Sequence, residues 1–100
     1  MASFLYRFSW DLAKASANRD KHGVTFELAA TVLQDPLARS RYDDEHGRDE
    51  ERWLTLGQAA DRRLLVVCHT FDELTVNEAT IRLISAREAT PAERRQYENG

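Results

Sequence analysis

A single cysteine, Cys68, is all that the 100-residue chain carries, so no disulfide can form within it. No run approaches the roughly 18–20 apolar residues that a membrane span needs. The opening Met1-Ala2-Ser3-Phe4-Leu5-Tyr6-Arg7-Phe8 shows no basic head followed by an apolar stretch, so no secretion signal is read. A cytoplasmic protein without membrane contact is the expectation. With four glycines and two prolines the chain has no glycine-rich phosphate loop, and no serine sits in a nucleophile-elbow setting. Its three histidines, His22, His46 and His69, fall in separate segments without ligand spacing, so neither a metal site nor any other cofactor is expected. Asp43-Asp44-Glu45-His46 resembles a hard-cation site only in composition, and a solvated loop is the better reading.

A basic surplus is missing too. The net charge of −3 argues against a generic nucleic-acid binder. Distribution says more than the sum. Acidic residues crowd the middle (Asp43, Asp44, Glu45, Asp49, Glu50, Glu51), while Arg62, Arg63, Arg82, Arg87, Arg94 and Arg95 populate the second half. Twelve of the 14 basic residues are arginine, whose planar fork grips phosphates and carboxylates in bidentate fashion.

What is present suffices for one domain, residues 1–100, with 42% hydrophobic and 31% charged residues. Tyr6 to Trp10 alternates aromatic and polar residues, the period of a strand with one buried face. Asp11 can cap a helix over Leu12–His22, with Gly23 as its left-handed stop. Thr25 can cap a second helix from Phe26 to about Leu33, which Asp35-Pro36 ends. Strands are then expected over Leu37–Tyr42, Arg52–Gln58, Leu64–Phe71 and Thr80–Ala86. Polar loops are expected over Asp43–Glu50 and Asp72–Ala79, with a tight connection at Asp61-Arg62. Leu64–Phe71 is apolar on both faces and reads as central. Thr90-Pro91-Ala92-Glu93 is a capping box opening a helix to about Glu98. The order β-α-α-β-β-β-β-α with short connections predicts an α+β fold. It has a single antiparallel sheet, two N-terminal helices on one face, and a short C-terminal helix at the edge or opposite face. Trp10, Phe26, Leu28 or Ala29, Leu33, Leu54, Leu56, Val66, Leu83 and Ile84 are the expected core.

Among chemistry-bearing residues, Cys68 lies in an apolar strand and reads as a packed thiol. His69 is the best acid–base candidate, because imidazole alone titrates near neutrality without help. Its register with Leu65, Val67 and Phe71 also suits a half-buried structural side chain. Arg82 interrupts an apolar strand, Arg87 follows the end of it, and Arg63 opens the central strand, so several guanidinium groups can converge on a phosphate. Tyr97 offers a hydroxyl and a stackable ring, or else packs its helix. Metal-free RNA cleavage suits such a set: the 2′-hydroxyl attacks phosphorus, and cations steady the charge that develops.

A resemblance sharpens this reading. Phe8-Ser9-Trp10-Asp11 resembles the F-x-W-D opening of BrnT family toxins, and Lys21-His22-Gly23-Val24-Thr25-Phe26-Glu27 through Ala29 is similar to K-H-G-V-x-F-E-x-A. Asp35-Pro36 and Glu51-Arg52-Trp53-Leu54-Thr55-Leu56-Gly57 resemble D-P and E-R-W-x-x-x-G. Arg63-Leu64-Leu65-Val66-Val67 with His69-Thr70 is similar to R-L-L-V-V-x-H-T. Ile81-Arg82-Leu83-Ile84-Ser85-Ala86-Arg87, with Ala89-Thr90, Glu93-Arg94 and Tyr97-Glu98, resembles the closing I-R-I-I-S-A-R-x-A-T-x-x-E-R-x-x-Y-E. Six blocks in order span nearly the whole chain. The segment Phe71 to Ala79 departs from the pattern, being longer than the hairpin common in the family.

The resemblance implies a RelE-like fold and a type II toxin that cleaves RNA and arrests translation. It also implies an antitoxin with a ribbon-helix-helix DNA-binding part, paired as a heterotetramer that meets operator DNA only through the antitoxin. Arg63, His69, Arg82, Arg87, Glu51 and Tyr97 are then the catalytic candidates, and Arg52 and Arg94 the RNA-binding ones. The alternative is a non-catalytic module that kept the fold and acts only as partner of the antitoxin. A stand-alone DNA-binding regulator is disfavoured by the acidic charge and by the lack of a helix-turn-helix pattern.

Overall fold

The computed structural model describes residues 4–44 and 50–100; Glu45, His46 and Asp49 of the acidic run lie outside them. The elements run β1 (Leu5–Trp10), α1 (Leu12–His22), α2 (Phe26–Val32), β2 (Arg39–Tyr42), β3 (Trp53–Gln58), β4 (Leu64–His69), β5 (Asp72–Thr75), β6 (Glu78–Glu88) and α3 (Pro91–Asn99). Local chemistry sets the helix ends. The Asp11 carboxylate accepts from Lys14 N at 2.9 Å, and Gly23 closes α1 at φ 67. The Thr25 hydroxyl accepts from Leu28 N at 3.1 Å to open α2. Thr90 and Glu93 form a reciprocal capping box at α3.

One six-stranded sheet orders the strands β1-β6-β4-β3-β2, with β5 on the remaining length of β6. The α+β class holds, but the sheet is mixed rather than wholly antiparallel, because β1 pairs with β6 in parallel, Leu5 opposite Glu78 and Trp10 opposite Leu83. Local hydrophobic period carries no information about a pairing between two ends of the chain. The expected loop after β4 is a hairpin instead. β5 folds back on β6 through Val76-Asn77, and all four β5 residues are exposed, so no alternating burial marked it.

Two layers cover the sheet. Phe26, Ala29 and Val32 of α2, with Val24, pack on Leu65, Val67, Ile81, Leu83 and Ala86. The opposite face holds a smaller cluster, Leu56, Leu64 and Val66, with Leu54, Ala89 and Tyr97 against it. β4 is buried at all six positions, as its apolar run predicts for a central strand. Of the expected core, Phe26, Ala29, Leu56, Val66 and Leu83 are buried, whereas Trp10, Leu33, Leu54 and Ile84 are only partly covered. Trp10, Leu33 and Leu54 sit at the margins of the two clusters.

Two irregular features anchor β6. Between Cys68 opposite Ser85 and His69 opposite Leu83, β6 carries one extra residue, Ile84, a β-bulge. Beyond the end of β1, the buried Asn18 of α1 takes that strand's place. Its side chain donates to Ala86 O at 2.9 Å and to Val24 O at 3.0 Å, and accepts from Ala86 N at 3.0 Å. Asn18→Ala would orphan three buried backbone groups at about 1–3 kcal/mol for an unsatisfied group. We expect the melting temperature to fall by roughly 10 °C or more. A drop below about 2 °C in thermal denaturation would show that water replaces the amide.

Candidate active site

The face turned away from α1 and α2 is built by cross-strand register. Arg41, Leu54, Cys68 and Ser85 form one row across β2, β3, β4 and β6; Arg39, Leu56, Val66 and Arg87 form the next. Arg52 and Arg82 stand at the end opposite α3, beyond the first row. Strict alternation would send Arg82 and Arg87 to opposite faces, since five positions separate them. The bulge at Ile84 shifts the phase by one, so Ala86 enters the core and Arg87 joins Arg82 on the open side. Two adjoining depressions, of about 360 and 520 Å3, share Arg41 and Leu54. Leu54, Cys68 and Ile84 supply an apolar floor to the larger, and Arg41, Arg52 and Arg87 stand around it together with Asp43 and Asp44.

Carboxylates from the flanking segments meet these cations. Arg87 donates to both oxygens of Glu93, Nη1 at 2.7 Å and Nη2 at 2.9 Å. The same oxygen that accepts Nη1 also accepts Thr90 N at 2.8 Å. The Arg87 bonds, with help from Thr90, hold the Glu93 carboxyl at about 2. Glu50 accepts from Arg82 on one oxygen and from Arg52 on the other, and the Arg82 bond chiefly lowers its pKa. Arg52 Nε is buried without a hydrogen-bond partner among the described residues. Burial pushes the Cys68 thiol up, so it is an inert part of the floor.

The other candidates lie elsewhere. Arg63 is not on this face: it donates to Asp61 at 2.7 Å and to the Gly23 carbonyl at 3.2 Å, toward the end of α1. His69 lies on the helix side, 2% exposed. Its Nδ1 is 2.8 Å from Thr70 O and its Nε2 is 2.6 Å from Thr55 Oγ1. A carbonyl only accepts, so Nδ1 carries the proton, and burial lowers the ring pKa, which keeps it neutral. Nε2 must then accept from the Thr55 hydroxyl, which in turn accepts from Ser40 at 2.7 Å. That chain leaves the imidazole no free lone pair. The Tyr97 hydroxyl donates to Asp35 at 2.6 Å, a bond that raises its pKa and fastens α3 to the end of α2. Glu51 and Arg94 are exposed, and it is Glu50, the neighbour of Glu51, that meets the arginines. Sequence reasoning passed over Arg39, Arg41 and Glu50. The alternation Arg39-Ser40-Arg41 within an expected strand was the available signal for the first two; a loop carboxylate gives none.

A family profile described as "Ribonuclease toxin, BrnT, of type II toxin-antitoxin system" matches residues 10–93. The chain belongs to this family. Its fold is similar to a solved structure, the Brucella abortus ribonuclease toxin BrnT, at a TM-score of 0.60 and 20% identity, covering 86% of this chain and 99% of that one. Among curated proteins, none matches the chain. Family membership makes it a toxin of the ribonuclease class with an antitoxin partner. Among the described residues, no helix is long and apolar enough to cross a membrane.

The His69 geometry has a pH consequence. Above the usual histidine value of about 6.5, the ring is neutral both folded and unfolded and the term vanishes. Below it, the unfolded chain takes up a proton that the buried ring refuses, so stability falls as pH falls. Wild-type melting temperature should therefore decline between pH 7 and pH 5, and His69→Gln should be less stable at pH 7 with a flatter profile. Parallel profiles for the two proteins would contradict a buried neutral imidazole.

Proposed function

We propose that the chain is a metal-independent endoribonuclease toxin that cleaves RNA through the 2′-hydroxyl and so arrests translation in the cytoplasm. The observation carrying this reading is the gathering of Arg41, Arg52 and Arg87 around an apolar floor, with Arg82 joined to Arg52 through Glu50, on the face that the phase shift at Ile84 builds. A base lies on Leu54, Cys68 and Ile84, and the scissile phosphate meets the guanidinium groups. The 2′-oxygen attacks phosphorus, the 5′-oxygen leaves and takes up a proton, and a 2′,3′-cyclic phosphate results. Arginine stabilises the phosphorane without moving a proton.

The incoming phosphate displaces Glu50 from Arg82 and Arg52. Freed from its cations and set beside an anion, that carboxylate becomes more basic and accepts the 2′-proton. Glu50 takes this role in preference to His69 and Tyr97, whose polar atoms are committed elsewhere, and to the outlying Glu51. Arg94 on α3 serves as a peripheral RNA contact, and Arg63 as a structural one. The antitoxin silences the toxin by laying carboxylates on the arginine face, where truncating one member of a desolvated pair costs about 2–5 kcal/mol. A ribbon-helix-helix part of the antitoxin supplies the DNA-binding surface that the net charge of −3 denies this chain, within a heterotetramer. A non-catalytic partner module draws support from the same internal ion pairs, if they never open.

RNA cleavage by purified variants decides. Arg52→Ala and Arg82→Ala should each slow cleavage on the order of 10²-fold or more, and Arg82→Lys should recover little, lacking the bidentate fork. Arg87→Ala should act alike, although loss of the Glu93 pair also lowers its melting temperature. Arg63→Ala should leave cleavage within about threefold, since its bonds lie on the helix side. Full activity in Arg52→Ala, Arg82→Ala and Arg87→Ala alike would eliminate this site, and no cleavage by the wild type would select the non-catalytic reading.

A further inference from the structure

The helix side of the sheet holds a third hollow, of about 380 Å3, beyond the end of α2. Its walls are apolar: Tyr6, Leu33, Ala38, Trp53 and Phe71. The polar atoms that reach it are already engaged. Ser40, Thr55 and His69 form the closed donor chain ending at Thr70 O. Asp35 accepts from Leu37 N, Gln58 N and the Tyr97 hydroxyl. A polar ligand would gain little there, and an apolar side chain would gain the transfer free energy of its buried area.

The apolar surface continues outward. Phe4, 50% exposed, packs edge-on against Tyr6 at 5.2 Å between ring centres. Tyr42 packs likewise on Trp53 at 5.6 Å. Leu37, next to the lining residue Ala38, is 69% exposed. Single exposed apolar residues mean nothing, but a contiguous set around a hollow marks an interaction site. Its rim carries an acid. Glu73 pairs in register with Ala79, which also faces Tyr6 on the other side of β6, so Glu73 stands on the cavity side.

We infer that this hollow is a second docking site for the antitoxin, filled by an apolar side chain from a segment that carries a cation to meet Glu73. Glu73 at the rim and Asp35 in the lining, with no arginine in the lining to offset them, repel RNA, and a second copy of this chain would set acid against acid. A cationic protein segment satisfies both the hollow and the rim. The inference rests on membership of a toxin–antitoxin family and not on the ribonuclease reading, so it survives failure of the latter. One antitoxin chain can hold both faces by passing around β2, the edge strand between them.

Titration calorimetry of the toxin with its antitoxin tests this, using Ser40→Trp, which fills the hollow from an exposed strand position, and Glu73→Lys, which reverses the rim. Each should weaken binding at least tenfold, while RNA cleavage by the free toxin stays at the wild-type rate. Should Ser40→Trp melt early, Glu73→Lys decides together with amide exchange, which should show protection of residues 37–42 and 71–75 in the complex. Antitoxin affinity within twofold of wild type in Glu73→Lys, without that protection, overturns the proposal. So does loss of RNA cleavage with unchanged antitoxin affinity, which gives the face to RNA. A wild-type dimer dissolved by Ser40→Trp would give it to a second copy and overturn the proposal equally.

Discussion

The extra residue at Ile84 turns β6 through one position, and the composition of both sheet faces depends on it. Upstream of it, Ile81 and Leu83 enter the core and Arg82 faces out. Downstream, Ala86 enters and Arg87 faces out. An unbroken strand would bury a guanidinium under α1 and α2 or expose Ala86, and either costs several kcal/mol or a hole in the core. Asn18 grips both backbone groups of Ala86 just past the bulge. That grip holds β6 in phase where β1 no longer supports it.

Having gathered cations on one face, the fold must also offset their mutual repulsion. Glu50 and Glu93 do so from opposite ends of the face, one from the segment ahead of β3 and one from the first turn of α3. The two are not equivalent. Glu93 is also the capping-box residue of α3, so its pairing with Arg87 ties helix stability to the site, while the Tyr97–Asp35 bond holds the other end of the helix. Among the described residues Glu50 has no such second task, and it bridges two arginines through single contacts. In the proposed site Glu50 is therefore the carboxylate expected to yield first to a phosphate.

Much of this was legible in the residues. The caps Asp11, Thr25 and Thr90, the stop at Gly23 and the apolar run of β4 fix local structure by short-range chemistry, and each element lies where that chemistry puts it. The parallel β1–β6 pair and the hairpin of β5 did not show, because neither leaves a local period. Arg82 stood out as a cation within an apolar strand and Arg87 as one just past it, whereas Arg52 came with the family motif. That Arg63 turns to Gly23, and that His69 is sealed by Thr55 and Thr70, depends on partners 40 and 14 residues away for the first two. Glu50 was hidden among other acids.

A titration of isotope-labelled toxin with an uncleavable 2′-O-methyl RNA oligonucleotide tests the central claim most directly, read at the arginine Nε–H signals by magnetic resonance. Contact through the open face should move the signals of Arg52, Arg82 and Arg87 together as Glu50 and Glu93 release them, and leave Arg63 and Arg19 in place. Shifts confined to Arg63 and Arg19, with the three open-face arginines unmoved, would place RNA on the helix side and contradict the account.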